Sequence, residues 1–154
     1  MTFTIRLPMP PSANAYWGNR VVTSKATGRP IVMPFVTDEA RLYKEQAAWQ
    51  ARAAGAHRPI EGWVSLEVVL FPKAPQNAAA LARANSDWEY NIRCLDVDNA
   101  LKVLIDALKD VVFTDDKRVR RITAERMAPV EGEAYVIATV RPIIINPLQQ
   151  GLFT

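Results

Sequence analysis

The apolar residues of this chain recur with two different periods, which together predict both strands and helices. Alternation of apolar and polar residues predicts a strand over 63–71, with Val64, Leu66, Val68 and Leu70 on one face. We expect this strand to be central in its sheet, because its apolar face is continuous. Other alternating or short apolar runs predict strands over 3–7, 111–113, 118–126 and 133–141, and a hairpin over 21–33.

Two segments have the period of about 3.6 residues that is typical of an amphipathic helix. The first is predicted to begin after an N-cap at Thr37 and to end at Gly55. The second follows an extended segment over 92–98, and Asp98 or Asn99 is predicted to be its N-cap. Its predicted apolar stripe consists of Leu101, Leu104, Ile105 and Leu108.

The length of 154 residues and the 49% of apolar residues predict one domain with a single core. We predict an α+β fold over residues 1–142, a single domain with a mixed sheet and two main helices. Residues 73–92 are rich in Pro, Ala and Asn, and are predicted to be an insert with at most a short helix over 77–85. Residues 143–154 are predicted to be a C-terminal tail.

Composition excludes several classes of protein. The single cysteine, Cys94, excludes an internal disulfide and a thiolate zinc site, and it suits a reducing cytoplasm. No apolar run approaches the roughly 18 residues of a membrane span, and no signal peptide is recognisable, so a cytoplasmic protein is expected. The net charge of +3 permits a nucleic-acid partner without requiring one.

The most unusual feature of the sequence is a group of acids around the second predicted helix. In an extended segment, Asp96 and Asp98 would point to the same side. Two neighbouring carboxylates repel each other unless they share a proton or hold a cation, and Mg²⁺ is the hard cation that suits them. Asp115 and Asp116 lie in a predicted turn that we expect to reach the same end of the sheet.

Lys102 adds a cation to this group, because it lies four residues after Asp98 on the same side of the helix. An ammonium group there can stabilise charge on a phosphate, while a metal ion lowers the pKa of an attacking water molecule. The predicted chemistry is therefore phosphodiester hydrolysis. A basic segment that can contact a DNA backbone directly follows the last acid: Lys117, Arg118, Arg120 and Arg121.

Each of these residues also has a purely structural interpretation. Asp98 can be only a helix cap, Asp96 a solvated strand end, and the two acids at 115–116 an ordinary turn. Lys102 can be the salt-bridge partner of Asp106. The combination D-x-D-N-x-x-K favours function, because so specific a spacing seldom arises by chance.

The runs "DVDNALKVLIDAL" and "VVFTDDKRV" resemble the RusA family of Holliday junction resolvases, and "PMPPSANAYW" and "TDEARLYKE" are also similar to that family. The resemblance implies that Lys102 is the catalytic lysine, that Asn99 supports the site and that Asp116, rather than Asp115, is the metal-binding acid of the adjacent pair. It implies that the metal ligands are Asp96, Asp98 and Asp116.

The function predicted from this resemblance and from the residues is a Mg²⁺-dependent endonuclease, with Mn²⁺ as a possible substitute, that resolves Holliday junctions by paired symmetric nicks. A homodimer is expected, because a four-way junction has approximate two-fold symmetry and needs two cuts. Two alternatives stay open: a less specific nuclease that cuts forks or flaps, and a non-catalytic DNA-binding accessory module of replication.

Two outlying segments carry further predictions. The insert contains Trp88 and several cations, so it could close over DNA or reach across the dimer, although a solvated loop is nearly as well supported. In the tail, Gln149, Leu152 and Phe153 resemble the short peptide by which bacterial DNA enzymes bind the replication sliding clamp. The alternative is that the tail folds onto its own core or onto a dimer partner.

Overall fold

The computed structural model describes residues 1–146, which form helices and strands in the following order. The elements are β1 (Phe3–Pro8), α1 (Ala13–Tyr16), β2 (Trp17–Thr23), β3 (Pro30–Val36), α2 (Asp38–Ala53), β4 (Val64–Phe71), α3 (Ala78–Ala84), α4 (Val97–Leu108), β5 (Val119–Arg126) and β6 (Tyr135–Pro142). Two 3₁₀ turns lie at Trp88–Asn91 and Asp116–Arg118. The predicted α+β class and the mixed sheet are confirmed.

The main sheet has four strands in the order β1, β6, β4, β5. Strand β6 is antiparallel to both β1 and β4, whereas β4 and β5 are parallel. The predicted central strand is confirmed, because β4 lies between two others and buries one side through Val64, Leu66, Val68 and Leu70. Strand β5 is at the edge of the sheet, where its exposed residues meet solvent.

Helices α2 and α4 are the two longest helices in the described part of the chain, and they pack together beside the sheet. Helix α2 begins at the predicted cap, where the Thr37 hydroxyl accepts a hydrogen bond from the Ala40 amide at 3.2 Å. In α4 the predicted stripe is partly wrong, because Leu101 and Ile105 are only half-buried. The residues of α4 that are buried are Ala100, Val103, Leu104, Ala107 and Leu108.

The predicted start of α4 is wrong. The helix begins at Val97 with Asp96 in the N-cap position, so Asp98 and Asn99 lie in the first turn. Asp96 and Asp98 therefore do not alternate along a strand, and the argument that put both side chains on one side of an extended segment fails. Asp and Asn are both favourable caps, and the sequence around 96–99 offers several of them.

The predicted strand over 111–113 is also wrong. Asp110 has a positive φ of 64°, and the amides of Val111 and Val112 donate to the Leu108 carbonyl at 3.2 and 2.9 Å. These bonds close a turn directly after the helix. Val112 and Phe113 are fully buried, so the short apolar run anchors the turn in the core.

The predicted hairpin is confirmed and is longer than expected, because β2 and β3 pair from Trp17 with Val36 to Thr23 with Pro30. It forms a separate two-stranded sheet. Every residue of β3 is exposed, including the large apolar side chains Val32, Met33 and Phe35.

The insert contains the predicted short helix, α3, followed by the 3₁₀ turn at Trp88–Asn91. Within residues 1–146, no helix combines the length and the apolar character needed to cross a membrane. The tail prediction for Gln149, Leu152 and Phe153 lies outside the described residues.

Candidate active site

One side of α4 lines a cavity of about 310 Å³, beside the turn that follows the helix. Lys102, Ile105 and Asp106 line it at the spacing i, i+3, i+4, which keeps their side chains on one helix face. Asp116 contributes from the 3₁₀ turn, and Trp17 contributes from the start of the hairpin. The cavity thus brings together two predicted site residues, Lys102 and Asp116, which are 14 positions apart in the sequence.

Asp106 is held by two residues from other helices. The Tyr16 hydroxyl donates a hydrogen bond to Asp106 Oδ2, and Lys44 Nζ lies 3.4 Å from the same oxygen. Tyr16 is fully buried. Burial, and then the hydrogen bond to Asp106, raise the pKa of Tyr16 far above its ordinary value. The tyrosine therefore stays protonated and acts as a donor.

Helix α1 is held in position by hydrogen bonds with its own N-cap and with Thr37. Ser12 caps α1 by accepting a hydrogen bond from the Ala15 amide at 3.2 Å. The Thr37 hydroxyl donates to the carbonyl of Ala15 at 2.6 Å. These bonds fix the end of α1 against the start of α2, which brings Tyr16 and Lys44 to the same carboxylate.

The partners of Asp106 leave Lys102 unpaired. Lys102 and Asp106 are four residues apart, a spacing that permits a salt bridge on a helix. Lys102 is nevertheless exposed and forms no ion pair with any residue in 1–146. The structural interpretation in which Lys102 pairs with Asp106 is therefore wrong, since Lys44 occupies that role.

The acids at the start of α4 are exposed and unpartnered within the described part of the chain. Asp96 is in the N-cap position but accepts no capping hydrogen bond. Asp98 follows in the first turn, where the helix dipole favours a negative charge. Both carboxylates are open to solvent, and Asn99 beside them is half-buried.

The two adjacent acids after the helix have different surroundings. Asp115 Oδ1 accepts the Lys117 amide at 3.0 Å, which closes the 3₁₀ turn. A hydrogen bond to Asp116, then that amide, then the charges of Lys109 and Lys117 lower the pKa of Asp115 below its ordinary value. Asp115 thus shapes the turn, whereas Asp116 lines the cavity.

The donor chemistry of the predicted metal ligands fits Mg²⁺, because all three offer carboxylate oxygens. In the described structure, however, the three carboxylates do not line one common cavity. Asp96 and Asp98 are not among the residues that line the cavity with Asp116. Among residues 1–146, no three His, Cys, Asp or Glu side chains are grouped as metal ligands. The convergence of three acids on one ion stays a prediction.

Comparison with known families agrees with the motifs. The model of the family described as Endodeoxyribonuclease RusA matches residues 8–139. The chain belongs to the RusA family. No curated protein matches the chain. The matched region includes every helix described above and both predicted acid groups, so the resemblance stated from the motifs is confirmed.

The basic segment of this RusA family member lies on the 3₁₀ turn and the start of the edge strand. Lys117, Arg118, Arg120 and Arg121 are all exposed. The pairing of β5 with β4 advances two residues, from Val119 to Arg121, for one residue of β4. Such a bulge changes the direction of the extra side chain. The Arg120 guanidinium lies 5.4 Å from the centre of the Trp63 ring.

Sequence reasoning missed the roles of Asp106, Tyr16 and Lys44 in this RusA fold. A signal was present, since all three lie in the segments that resemble the family. The sequence could not show that these segments meet, because Tyr16 and Asp106 are 90 residues apart.

Proposed function

We propose that this protein is a Mg²⁺-dependent endonuclease that cuts branched DNA, above all Holliday junctions, by paired symmetric nicks. The observation that carries the proposal is the cavity shared by Lys102 and Asp116, with Lys102 unpaired in the described structure. The family match supports DNA cleavage in general.

In this proposal, Asp96, Asp98 and Asp116 hold Mg²⁺, or Mn²⁺ in its place. When bound, the metal ion supplies electrostatic stabilisation of the phosphate and lowers the pKa of a water molecule. Asn99 supports the start of α4, and Asp115 keeps the turn in place.

Lys102 neutralises the charge that develops on the phosphate oxygens. Its ammonium group is available because Tyr16 and Lys44 already satisfy Asp106. A lysine committed to a neighbouring carboxylate would have to break that pair before it could bind phosphate. The exposed cations of the basic segment, at 117–121, contact the DNA backbone on either side of the cut.

The central test is a cleavage assay in which the metal ion is varied. We expect a four-way junction to be nicked in Mg²⁺ and Mn²⁺, and to be bound but left uncut in EDTA. A replication fork of the same arm sequences is the matched substrate, and equal cleavage of both would favour the less specific nuclease. Binding without cleavage in either metal would instead support the accessory module.

We further propose that the enzyme is a homodimer that uses the β2–β3 hairpin as its dimer surface. An isolated two-stranded hairpin is only marginally stable in water. Val21 and Val32 are directly paired across this hairpin, yet they are 70% and 67% exposed. A second copy of the same ribbon would cover these residues and would present two sites to a two-fold substrate.

Light scattering after size exclusion tests the dimer. We expect the wild-type protein to have the mass of a dimer and Val32→Asp to have the mass of a monomer. Leu42→Asp is the matched control, because Leu42 on α2 is also 67% exposed but lies outside the hairpin. A monomeric wild-type protein, with and without DNA, would exclude the proposal.

We retain the sliding clamp as a proposed partner of the tail, on the basis of Gln149, Leu152 and Phe153 alone. A peptide of residues 147–154 should bind purified clamp, and the same peptide with Leu152 and Phe153 replaced by alanine should not. Both the DNA substrate and the lone cysteine suit action in the cytoplasm.

A further inference from the structure

The insert lines a second cavity, of about 570 Å³, that shares no lining residue with the cavity on α4. Its apolar walls include Pro75, Leu81, Trp88 and Ile92. Helix α3 buries none of its own residues, and Leu81 is 36% exposed. The apolar side of α3 therefore lines an open cavity instead of contributing to the core.

The walls of this cavity are fixed by bonds to the last residue of β5 and to the loop that follows β5. The Arg126 guanidinium donates to the carbonyl of Ile92 at 2.9 Å, which holds the end of the 3₁₀ turn at Trp88–Asn91. On the other side, the Ala74 amide donates to the Val130 carbonyl at 2.8 Å. The cavity is thus supported at both ends, which reduces the conformational cost of binding.

The charged residues that line this cavity are cationic. Lys73 is paired with Glu133 at 2.8 Å, but Arg93 forms no ion pair with any residue in 1–146. A smaller cavity of about 330 Å³ also contains Lys73 and Arg93. It extends to Cys94 and Leu95, the residue just before Asp96. The two cavities thus share Lys73 and Arg93, and the smaller one ends one residue before the first of the predicted metal ligands.

We propose that the insert cavity binds an unpaired nucleobase of the branched DNA, stacked on Trp88, with Arg93 on the adjoining phosphate. This inference rests on the proposed function, because it assumes a branched substrate. An aromatic ring in an apolar cavity can stack on any base, and an arginine can hold the backbone beside it. Asn85 and Asn91 also line the cavity, and an asparagine amide can bond to the edge of a base.

The combination of apolar walls and a cationic side chain favours a nucleobase over other ligands. An aliphatic ligand would use the apolar walls but would gain nothing from Arg93. A free phosphate would use Arg93 but would not need Trp88. A nucleotide whose base is extruded from the helix uses both, and extrusion costs less where base stacking is already interrupted, as at a strand exchange point.

The test uses a four-way junction with 2-aminopurine at the strand exchange point, in EDTA so that no cleavage occurs. Stacking on an aromatic side chain should quench the probe as protein is added. The key variant is Leu81→Glu, which places a carboxylate in the cavity. Its matched control is Ala82→Glu, which adds the same charge to the next residue of α3, an exposed residue that does not line the cavity.

We expect Leu81→Glu to bind the junction about tenfold more weakly than Ala82→Glu and to lose the quenching, because stacking is lost. Trp88→Ala should behave like Leu81→Glu, and Trp88→Phe should keep most of the affinity. Circular dichroism and melting temperature check that the variants fold. The two glutamate variants keep the test valid even if Trp88→Ala unfolds, because both changes are at exposed positions.

The outcomes separate this proposal from the proposed nuclease function. Equal affinity and equal quenching for the two glutamate variants would refute the cavity proposal, even if the wild-type protein cuts junctions. Quenching that depends on Leu81 and Trp88, in a protein that never cuts DNA, would support the cavity and refute the nuclease. A wild-type protein that binds no branched DNA would refute both.

Discussion

The two ends of helix α4 carry acids in opposite situations. At the N-terminal end, Asp96 and Asp98 are exposed and have no bonding partner within residues 1–146. Toward the other end, Asp106 is bound by Tyr16 and Lys44 from two other helices. The aspartates at the start of α4 thus make no bond within residues 1–146, whereas the aspartate near its other end bonds to two neighbouring helices.

The difference has an energetic basis. The Tyr16 hydroxyl is fully buried, and a buried donor without an acceptor costs about 1–3 kcal/mol. Asp106 removes that cost, so its carboxylate contributes to stability. The carboxylates of Asp96 and Asp98 satisfy no buried group, so their removal should cost the fold little. Substitutions at the two ends of α4 should therefore separate chemistry from stability.

The largest expected effect is at the free end of the helix. Asp98→Asn should lower the rate of junction cleavage by about a thousandfold or more, because a proposed metal ligand is lost. The free energy of unfolding should change by less than about 0.5 kcal/mol, as is usual for an exposed residue. Single-turnover cleavage and urea unfolding measure the two quantities.

Junction binding in EDTA serves as the control for this variant, and it should be unchanged or slightly tighter because a negative charge has been removed. Cleavage at the wild-type rate would show that Asp98 does not bind the catalytic metal ion.

Lys102→Met should have the next largest effect, a loss of about a hundredfold in cleavage rate, because it removes one group that stabilises the transition state. Lys44→Met is the matched control, since it removes an equal charge that is paired with Asp106 on α4. It should lower stability more than Lys102→Met does. A cleavage defect of equal size in the two variants, corrected for the folded fraction, would contradict the division between the two ends.

Asp106→Ala should lower the free energy of unfolding by about 2 kcal/mol, because the Tyr16 hydroxyl is left buried without its acceptor. For a chain of this size the melting temperature should fall by about 4–8 °C. Calorimetry provides the measurement. Tyr16→Phe should lower the free energy of unfolding by only about 1 kcal/mol, because it removes the buried hydroxyl itself and leaves no donor without an acceptor.

A double-mutant cycle checks whether the two residues act as one pair. Adding Tyr16→Phe to Asp106→Ala should recover part of the stability, because no buried hydroxyl then lacks a partner. Fully additive losses would mean that the bond between Tyr16 and Asp106 contributes little.

The last expected effect appears only at alkaline pH. Burial and the bond to Asp106 raise the pKa of Tyr16, and burial raises the pKa of Tyr43, whose hydroxyl donates to the Pro8 carbonyl at 2.9 Å. Both groups are raised in the folded state, so their contribution is intact below the unfolded pKa of about 10 and is lost as pH rises above it. Stability should fall by up to about 1.4 kcal/mol per pH unit for each tyrosine.

Urea unfolding at several values from about pH 9 to 11 measures this slope. Tyr43→Phe should flatten it, because one of the two tyrosines with a raised pKa is absent. An identical slope in wild type and Tyr43→Phe would show that Tyr43 does not titrate on unfolding.

Local patterns predicted much of the fold. The alternation over 63–71 identified β4 as a central strand, and Thr37 was correctly predicted to cap α2. The spacing D-x-D-N-x-x-K and the acidic pair were sufficient to indicate the RusA family, which the family match confirms. Such features depend on neighbours within a few residues, so they can be recognised without knowledge of the tertiary structure.

The same patterns gave wrong predictions where two local conformations have similar energies. Asp96 and Asp98 are both favourable helix caps, and the choice of Asp96 shifts the helix start by two residues. The apolar run at 111–113 was assigned as a strand, but it is too short to distinguish a strand from a buried turn. There, the positive φ of Asp110 and the burial of Val112 and Phe113 decide the outcome.

The sequence by itself determined which residues are chemically suited to bind a metal ion and a phosphate. Only the tertiary structure decided which of them are free to do so. On the sequence, Asp106 is a natural partner for Lys102 because the two lie four residues apart on one helix. In the fold, packing of α1 and α2 against α4 brings Tyr16 and Lys44 to Asp106 from 90 and 62 residues away, and Lys102 is left without an ion-pair partner within residues 1–146.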